Sequence, residues 1–334
     1  MNRRILLLPF LLLFFLWGCH KNNWDIDISK IQTNQQFERF EHDLFQTPAD
    51  SIWSKVPFWE EKYGAFFEAY NHRIISIGGT NQLDYDERLA YFLTDPYIVE
   101  AYKEVQQVFP DLNFKSELAD AFKRFHYYFP DHTIPTIYTH VSGFNQSLVI
   151  DSTYIGISLD KYLGNDSKFY GMLRTPMYLR YSMRPDKISS DVMLAVGLTE
   201  FPYEHKPDNL ISQMIYHGKL QVFLDAMLPH LADTVKWGMP DSKLRWCEKN
   251  ERQMWMYLIE NKLLFSSDYK DIKRYIDDGP FTTTFSRESP SRTGRWLGYQ
   301  IVKSYLKQHP ELNLQKLMQL SDYQQVLSDS KYKP

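Results

Sequence analysis

One stretch near the middle of the chain departs from a pattern that otherwise favours helices. Residues 134–164, "IPTIYTHVSGFNQSLVIDSTYIGISLDKYLG", are rich in Ile, Val, Thr and Tyr, contain the turn signal Ser142-Gly143 and lack long helical periodicity. They predict three short strands. Helical segments separated by Gly and Pro residues precede them over residues 57–129, and helices resume at about Tyr170. This order predicts an α+β fold, predominantly helical, with a small sheet in the middle of the chain.

The N-terminal "MNRRILLLPFLLLFFLWGC" has the arrangement of a bacterial lipoprotein signal. A basic start leads into an apolar run that is too short to span a bilayer. The run ends in Leu16-Trp17-Gly18-Cys19, which resembles the lipobox, whose cysteine is diacylated and becomes the first mature residue. We therefore predict a signal peptide over residues 1–18 and a lipidated N-terminus and tether over 19–36. An ordinary cleaved signal with a chance cysteine is the alternative.

The predicted compartment is the periplasmic face of the outer membrane. Acyl chains such as palmitate on Cys19 would hold the protein on the membrane, and His20-Lys21 supply no acidic retention signal directly after it. A formal net charge of −3 argues against a nucleic-acid partner. Only Cys247 remains beside Cys19, so we expect no intramolecular disulfide and a buried thiol.

The remainder of the chain, residues 37–334, predicts a single mainly helical globular domain. It contains no Gly/Ser-rich linker, no charged linker and no internal repeat. Its first segment, "FERFEHDLF", predicts an amphipathic helix that begins at Phe37.

A second stretch, "MIYHGKLQVFLDAMLP" (Met214–Pro229), has helical spacing and raises the question of a metal. A helix with a similar opening supplies the third zinc ligand, an acid, in gluzincin peptidases; His217 stands there in this chain. No two of the ten histidines are four residues apart, so the motif H-E-x-x-H is absent. Glu200, Glu204, His205 and His217 form at most a vestigial site, and a polar helix connection with a hydrogen-bonded His217 is the alternative. We expect no metal and no cofactor.

The loop "DDGPFTTTFSRESPSRTGRW" contains a cluster of charges. Its four charged candidates are Arg287, Glu288, Arg292 and Arg295. They predict either a partner or anion site or an Arg/Glu network that fixes the loop. Gly294 and Gly298, four residues apart, predict that the following helix approaches a neighbour closely.

Five segments carry a resemblance to a known family: the lipobox-like start, residues 134–164, Met214–Pro229, "LRWCEKNE" and "DGPFTTTFSRESPSRTGRWLGYQIVKSYL". They resemble the gliding-motility-associated lipoprotein family called GldB. The similarity runs in the same order along nearly the whole mature chain. Members resemble zincin peptidases in overall plan but lack the metal-binding helix, which implies a zincin-like scaffold without H-E-x-x-H. "E-G-K" is common in the family where this chain has His217-Gly218-Lys219.

The resemblance implies a cell-envelope lipoprotein associated with the machinery for gliding and with the type IX secretion apparatus. A non-enzymatic role, in which a degenerate peptidase scaffold binds envelope proteins, is the leading hypothesis. A glycan- or peptidoglycan-binding periplasmic lipoprotein and a residual zinc hydrolase are the alternatives.

Overall fold

The computed structural model describes residues 24–203 and 208–334. The predicted signal peptide, Cys19, Glu204 and His205 lie outside the described residues. The described helices are α1 (Phe40–Phe45), α2 (Ile52–Ala69), α3 (Tyr85–Thr94), α4 (Pro96–Val108), α5 (Lys115–Tyr128), α6 (Lys168–Met172), α7 (Met177–Arg180), α8 (Ile188–Glu200), α9 (Leu210–Met227), α10 (Asp233–Lys236), α11 (Asp241–Glu260), α12 (Tyr269–Ile276), α13 (Thr293–Gln308), α14 (Leu314–Gln319) and α15 (Tyr323–Ser330). The described strands are β1 (Phe37–Arg39), β2 (Thr136–His140), β3 (Leu148–Ile150) and β4 (Tyr154–Ser158). Of the described helices, none is both long enough and apolar enough to cross a membrane.

The four strands form one sheet in the order β1-β2-β4-β3. Strands β1, β2 and β4 run parallel, and β3 pairs with β4 in the antiparallel sense. The predicted fold class, a predominantly helical α+β protein, is confirmed. The three strands expected in the middle of the chain are present. The zincin-like plan stays a prediction.

The predicted start of the first helix is wrong by three residues. Phe37–Arg39 form the edge strand β1, and helix α1 begins only at Phe40. The reason is a backbone pairing with a remote segment: the Ile137 amide donates to the Gln36 carbonyl at 2.9 Å, and β1 lies in register with β2. The helical spacing of the Phe residues indicates which side chains are buried. It contains no information on a backbone pairing with a strand a hundred residues away.

The sheet lies between two layers of helices. Alternate residues of a strand point to opposite faces, so Ile137 and Ile155 enter the larger core with α5, α8, α9 and α13. Tyr138 and Tyr154 face the smaller core built from α1, α2 and α3. Phe66 of α2 stacks on Tyr138 with ring centroids 4.5 Å apart. This contact requires Gly156, since a Cβ there would lie 2.7 Å from the Phe66 ring.

Helices α9 and α13 cross at two glycines in the larger core. A Cβ on Gly298 would lie 1.7 Å from the Met214 carbonyl oxygen, and one on Gly218 would lie 2.4 Å from the Gly298 backbone. A Cβ on Gly294 would lie 2.9 Å from the Tyr275 carbonyl oxygen of α12. The close approach predicted from Gly294 and Gly298 is confirmed. Helix α9 is buried on nearly all sides, as expected of a helix without a polar stripe.

The segment before the sheet lies against the body of the protein from Trp24 onward. The Arg124 guanidinium of α5 donates to the Ile26 carbonyl at 3.1 Å and lies 3.3 Å from the Asp25 carboxylate. Gln35 donates to the Pro135 carbonyl at 2.6 Å. The part of the predicted tether that the structure describes is therefore in contact with the domain.

The one cysteine among the described residues is buried. Cys247 of α11 has no solvent exposure and no disulfide partner, and burial raises the pKa of its thiol. The predicted buried thiol is confirmed, and a protonated, inaccessible sulfur is a poor nucleophile.

Replacing Gly298 with Val is expected to lower the free energy of unfolding by about 3 kcal/mol or more, because the new side chain meets the backbone of a buried helix. Gly171→Ala is the matched control: a Cβ there meets no atom within 4 Å, and we expect a change below roughly 0.5 kcal/mol. Urea unfolding of both variants measures the difference. Equal midpoints would contradict the close crossing.

Candidate functional site

His217 of α9 lies near Arg292 and Arg295 at the start of α13. Its side chain is half-buried. Burial and the positive charges of Arg295 and Arg292 hold the pKa of His217 well below its usual range. The imidazole is therefore neutral at neutral pH, and its environment is electropositive, which disfavours a bound cation.

Glu200, the last residue of α8, has a different partner. Its carboxylate lies 2.5 Å from Nδ1 of His132, whose ring packs among the rings of Phe125, Phe129 and Phe201. Sequence reasoning did not identify His132, because no spacing relates it to Glu200. The predicted vestigial set is thus divided: Glu200 pairs with His132, His217 faces two arginines, and Glu204 and His205 lie outside the described residues.

No group of three His, Cys, Asp or Glu side chains that could hold a metal ion occurs within residues 24–203 and 208–334. A zinc centre requires three or four such ligands around one point. Neither Glu200 nor His217 belongs to such a group. Glu200 pairs instead with His132.

The arginine loop is held by contacts inside the protein. Arg292 donates to the Trp237 carbonyl at 2.7 Å and lies 3.0 Å from the Asp278 carboxylate. Arg295 donates to the Ile276 carbonyl at 2.6 Å. Burial and the nearby Arg292 lower the pKa of Arg295 to about 10, so it remains charged at neutral pH. Both arginines therefore hold the loop to the body of the protein through carbonyls and Asp278, and the choice between a partner or anion site and an Arg/Glu network stays a prediction.

The other two charged candidates of that loop, Arg287 and Glu288, are exposed. Their backbone carbonyls, with that of Ser289, accept hydrogen bonds from Lys243 of α11 at 2.9 to 3.1 Å. The ammonium group holds the loop through its main chain, which leaves the side chains of Arg287 and Glu288 in solvent.

Lys219, in the position of the family "E-G-K" lysine, is buried in the larger core. Its ammonium group donates to the Met318 carbonyl at 2.9 Å and to the Leu320 carbonyl at 2.5 Å. It lies over the Tyr323 ring. Burial lowers the pKa of Lys219 to about 7. The side chain therefore ties the end of α14 to α9.

A second polar centre lies at the carboxyl end of the parallel strands. Asp160 follows β4 and has no solvent exposure. Its carboxylate accepts hydrogen bonds from the amides of Phe144 at 2.6 Å and Ser142 at 3.2 Å, and from the Ser158 hydroxyl. Burial raises the pKa of Asp160, and these hydrogen bonds oppose the rise. All of these partners donate, so they favour the ionised carboxylate.

Asp160 organises the loop between β2 and β3, which we call the 141–147 loop. Gly143 and Phe144 both have positive φ, 67° and 65°, a conformation that the two amide hydrogen bonds to Asp160 hold in place. From this loop Asn145 donates to the Ile74 carbonyl at 2.9 Å, and the backbone of Gly143 lies against Ile98 and Phe92. The loop thus supports the segment that follows α2 and the side chains at the end of α3 and start of α4.

Those side chains form the floor of an open cleft, which we call the Tyr91 cleft. Its volume is 580 Å³. The lining residues are Ile75, Ser76, Ile77, Asp84, Glu87, Arg88, Tyr91, Phe92, Asp95 and Ile98. Tyr91 is 76 % exposed, and Leu83 and Tyr97, next to lining residues in the chain, are also exposed. Exposed apolar surface rimmed by polar groups is typical of a binding site.

The rim of the Tyr91 cleft carries excess negative charge. Arg88 is engaged internally, because its guanidinium pairs with Asp84 at 2.7 Å and donates to the Ile77 carbonyl at 3.0 Å. Asp95 caps α4 by accepting the amide of Tyr97 at 2.8 Å, and Glu87 has no ion pair with another described residue. Two carboxylates therefore remain without a neutralising cation.

Lys219→Met is expected to remove a pH dependence of stability. In the folded protein the pKa of Lys219 is about 7 and below its usual 10.5, so between these values the unfolded chain binds more protons. This group therefore makes the fold more stable as pH rises. Relative to the variant, the wild type should gain up to about 1 kcal/mol per pH unit between roughly pH 7 and 9.5. Urea unfolding at several pH values measures this, and parallel profiles would contradict it.

Asp160→Asn is expected to lower the free energy of unfolding by about 2 to 4 kcal/mol, because an amide NH₂ would face backbone N–H donors that then lack an acceptor. Asp151→Asn, at an exposed turn before β4, is the control, with an expected change below roughly 0.5 kcal/mol. Denaturant midpoints of the two variants give the comparison. A midpoint for Asp160→Asn equal to wild type would show that the carboxylate does not hold the loop.

Comparison with known proteins agrees with the resemblance noted from the sequence. Residues 21–334 match the family described as gliding motility protein GldB. No curated protein and no solved structure matches the chain. The family match extends over the sheet, the α9–α13 crossing and the Tyr91 cleft. The chain therefore belongs to the GldB family of gliding-motility-associated lipoproteins of the cell envelope.

Proposed function

We propose that this lipoprotein is a non-enzymatic component of the cell envelope that binds another protein through the Tyr91 cleft. The observation that carries the proposal is the exposed apolar cleft itself. Tyrosine side chains supply large contact area with little loss of conformational freedom, and they are enriched in protein interfaces. Tyr91 lies at this opening with three quarters of its surface accessible.

The charge of the rim suggests the chemistry of the partner. With Arg88 engaged by Asp84, the carboxylates of Glu87 and Asp95 leave the cleft negative. Complementary charge promotes association and suppresses wrong partners. The occupant that we propose is a segment of an envelope protein with apolar side chains flanked by Lys or Arg.

The proposed setting is the periplasmic face of the outer membrane, with acyl chains on Cys19 as the anchor. The lipobox-like "LWGC" supports this anchor, and the family supports partners in the gliding or type IX secretion machinery. We propose this machinery as the source of the basic segment.

A binding role accounts for the polar residues of the predicted vestigial site and for Lys219 better than catalysis does. His217 faces two arginines, Glu200 pairs with His132, and Lys219 holds backbone carbonyls. The contacts of Glu200 and Lys219 stabilise the scaffold, and the arginines keep His217 neutral. A residual zinc hydrolase would need ligands that the described residues do not bring together.

Photo-crosslinking tests the docking site. The photoreactive p-benzoylphenylalanine replaces Tyr91 in the full-length lipoprotein within the intact envelope, and mass spectrometry identifies the linked peptide. We expect one dominant product whose peptide contains apolar residues flanked by Lys or Arg. The matched control places the crosslinker at Tyr269 of α12, which is similarly exposed and should not give this product.

Charge reversal supplies the second readout. Glu87→Lys should reduce the yield of the Tyr91 product by about tenfold, because like charges then meet at the rim. Identical products from positions 91 and 269, or a yield that Glu87→Lys leaves unchanged, would contradict docking at this cleft. A carbohydrate adduct would replace the proposal with the glycan-binding alternative.

A further inference from the structure

An exposed apolar surface lies on the segment that contains the short helices α6 and α7. Five large apolar side chains within eight consecutive residues are exposed, and we call them the Met177 surface: Met172, Leu173, Met177, Tyr178 and Leu179. Met177, the most accessible of them, is 68 % exposed. Apolar side chains exposed together in this way indicate an interaction site.

The charges beside the Met177 surface are all positive. Residues 167–185 contain four cationic side chains and no Asp or Glu, although the whole chain has a formal net charge of −3. Two of these cations pair with carboxylates nearby, whereas Arg174 and Arg180 form no ion pair with another described residue. The Nε of Arg180 donates to the Thr175 carbonyl at 2.8 Å. Two guanidinium groups are therefore available to anions at this surface.

The backbone under the Met177 surface is fixed by the larger core. Phe169 and Tyr170 of α6 are buried, and the Tyr170 hydroxyl donates to the Asp160 carbonyl at 3.0 Å. Just after α6, the Thr175 amide donates to the Tyr170 carbonyl at 2.9 Å. Arg174 has φ 54°, the left-handed conformation that commonly ends a helix. The exposed side chains thus belong to a preformed part of the fold.

The Met177 surface is joined to the carboxyl-terminal end of α9. Three residues after Leu179, the Ser182 hydroxyl donates to the Gly238 carbonyl at 3.4 Å. Two residues before Gly238, the Lys236 ammonium group pairs with Asp225 in the last turn of α9. These contacts place the surface near that end of the helix.

The start of the described chain reaches the same end of α9. His230, three residues after the last residue of α9, has its Nε2 at 3.4 Å from the Asp25 carboxylate. Cys19, the proposed site of the lipid, lies only six residues before Asp25 in the chain. An acyl chain on Cys19 would therefore enter the bilayer near this end of the molecule.

We propose that the Met177 surface docks on the anionic lipid surface of the membrane that holds the anchor. Its apolar side chains enter the boundary between headgroups and acyl chains, and Arg174 and Arg180 contact the lipid phosphates. Tyr178 suits this depth because its ring is apolar and its hydroxyl is polar.

The position of the Met177 surface favours lipid over an acidic protein segment, which would also match the two arginines. The surface and the chain that leads to Cys19 lie at one end of α9, as docking on the same bilayer requires. This inference uses the proposed anchor at Cys19, but it does not depend on docking at the Tyr91 cleft.

Fluorescence quenching in vesicles tests the docking. Met177→Cys, labelled with the dye NBD, is introduced into the full-length lipoprotein, which is reconstituted into vesicles of phosphatidylethanolamine and phosphatidylglycerol. The buried Cys247 is not accessible to the label. Lipids with a doxyl group on the acyl chain quench a dye that enters the bilayer. We expect quenching at position 177 to be about fivefold or more stronger than at the control position.

The matched control position is Tyr269, labelled through Tyr269→Cys. Tyr269 is 70 % exposed, close to the value for Met177. It lies three residues after Ser266, whose carbonyl accepts the amide of Leu210, the first residue of α9. The length of α9, about 27 Å, therefore separates this position from the end of the molecule that we propose to meet the membrane.

Charge reversal connects the quenching to the Met177 surface. Leu173→Asp with Arg174→Glu should reduce quenching at position 177 by about fivefold or more, because acidic groups are repelled by anionic lipid. Lys270→Glu, next to Tyr269, is the control and should leave it unchanged. All three side chains are exposed, so melting temperatures should stay close to wild type.

Three results would overturn the proposal. The first is equal quenching at positions 177 and 269, and the second is quenching that the Leu173→Asp and Arg174→Glu variant retains. The third is a dye at position 177 that is shielded from aqueous iodide in intact envelopes but not in vesicles, which would indicate an acidic protein partner. The mass of the intact protein reports acylation of Cys19 separately, and the crosslinking at Tyr91 is an independent measurement, so each proposal fails by itself.

Discussion

The buried carboxylate of Asp160 is the contact on which the outer architecture depends. It lies at the carboxyl end of three parallel strands, the edge where α/β sheets commonly place their binding sites, and its hydrogen bonds fix the 141–147 loop. That loop supports Phe92 and Ile98 on one side and the turn that follows α2, Tyr70–Ile74, on the other. A single desolvated charge thus helps to position the floor of the Tyr91 cleft.

The larger core serves a different purpose. Its centre is the glycine crossing of α9 and α13, where two backbones approach without side chains between them. Near this crossing Lys219 of α9 donates to two backbone carbonyls, and His217 lies beside Arg292 and Arg295. Buried polar groups persist when they are fully paired. This half of the molecule is well-packed scaffold, and the Tyr91 cleft belongs to the helices nearer the N-terminus.

Much of the fold could be predicted from local patterns. The β-rich stretch gave three strands, and the glycine spacing in α13 indicated the close helix crossing. Strand β1 could not be predicted, because its pairing with β2 joins segments a hundred residues apart. Neither could the Tyr91 cleft, since Ile77, Glu87 and Tyr91 form no motif and come together only in the folded chain. Glycines such as Gly78 and Gly79 indicate a helix break, but a break does not indicate that a cavity lies beside it.

The packing of residues 24–36 has a mechanical consequence for a lipid-anchored protein. Trp24 stacks edge-on against Tyr128, and Arg124 clamps the next two residues to α5. If Cys19 carries the lipid, only the five-residue step from Cys19 to Trp24 separates the bilayer from the folded body, a reach of at most about 18 Å. A tether of this length would limit the rotation of the folded body and keep α5 near the lipid surface. The folded body would then have a preferred orientation on the membrane, so that only some of its faces are accessible to partners.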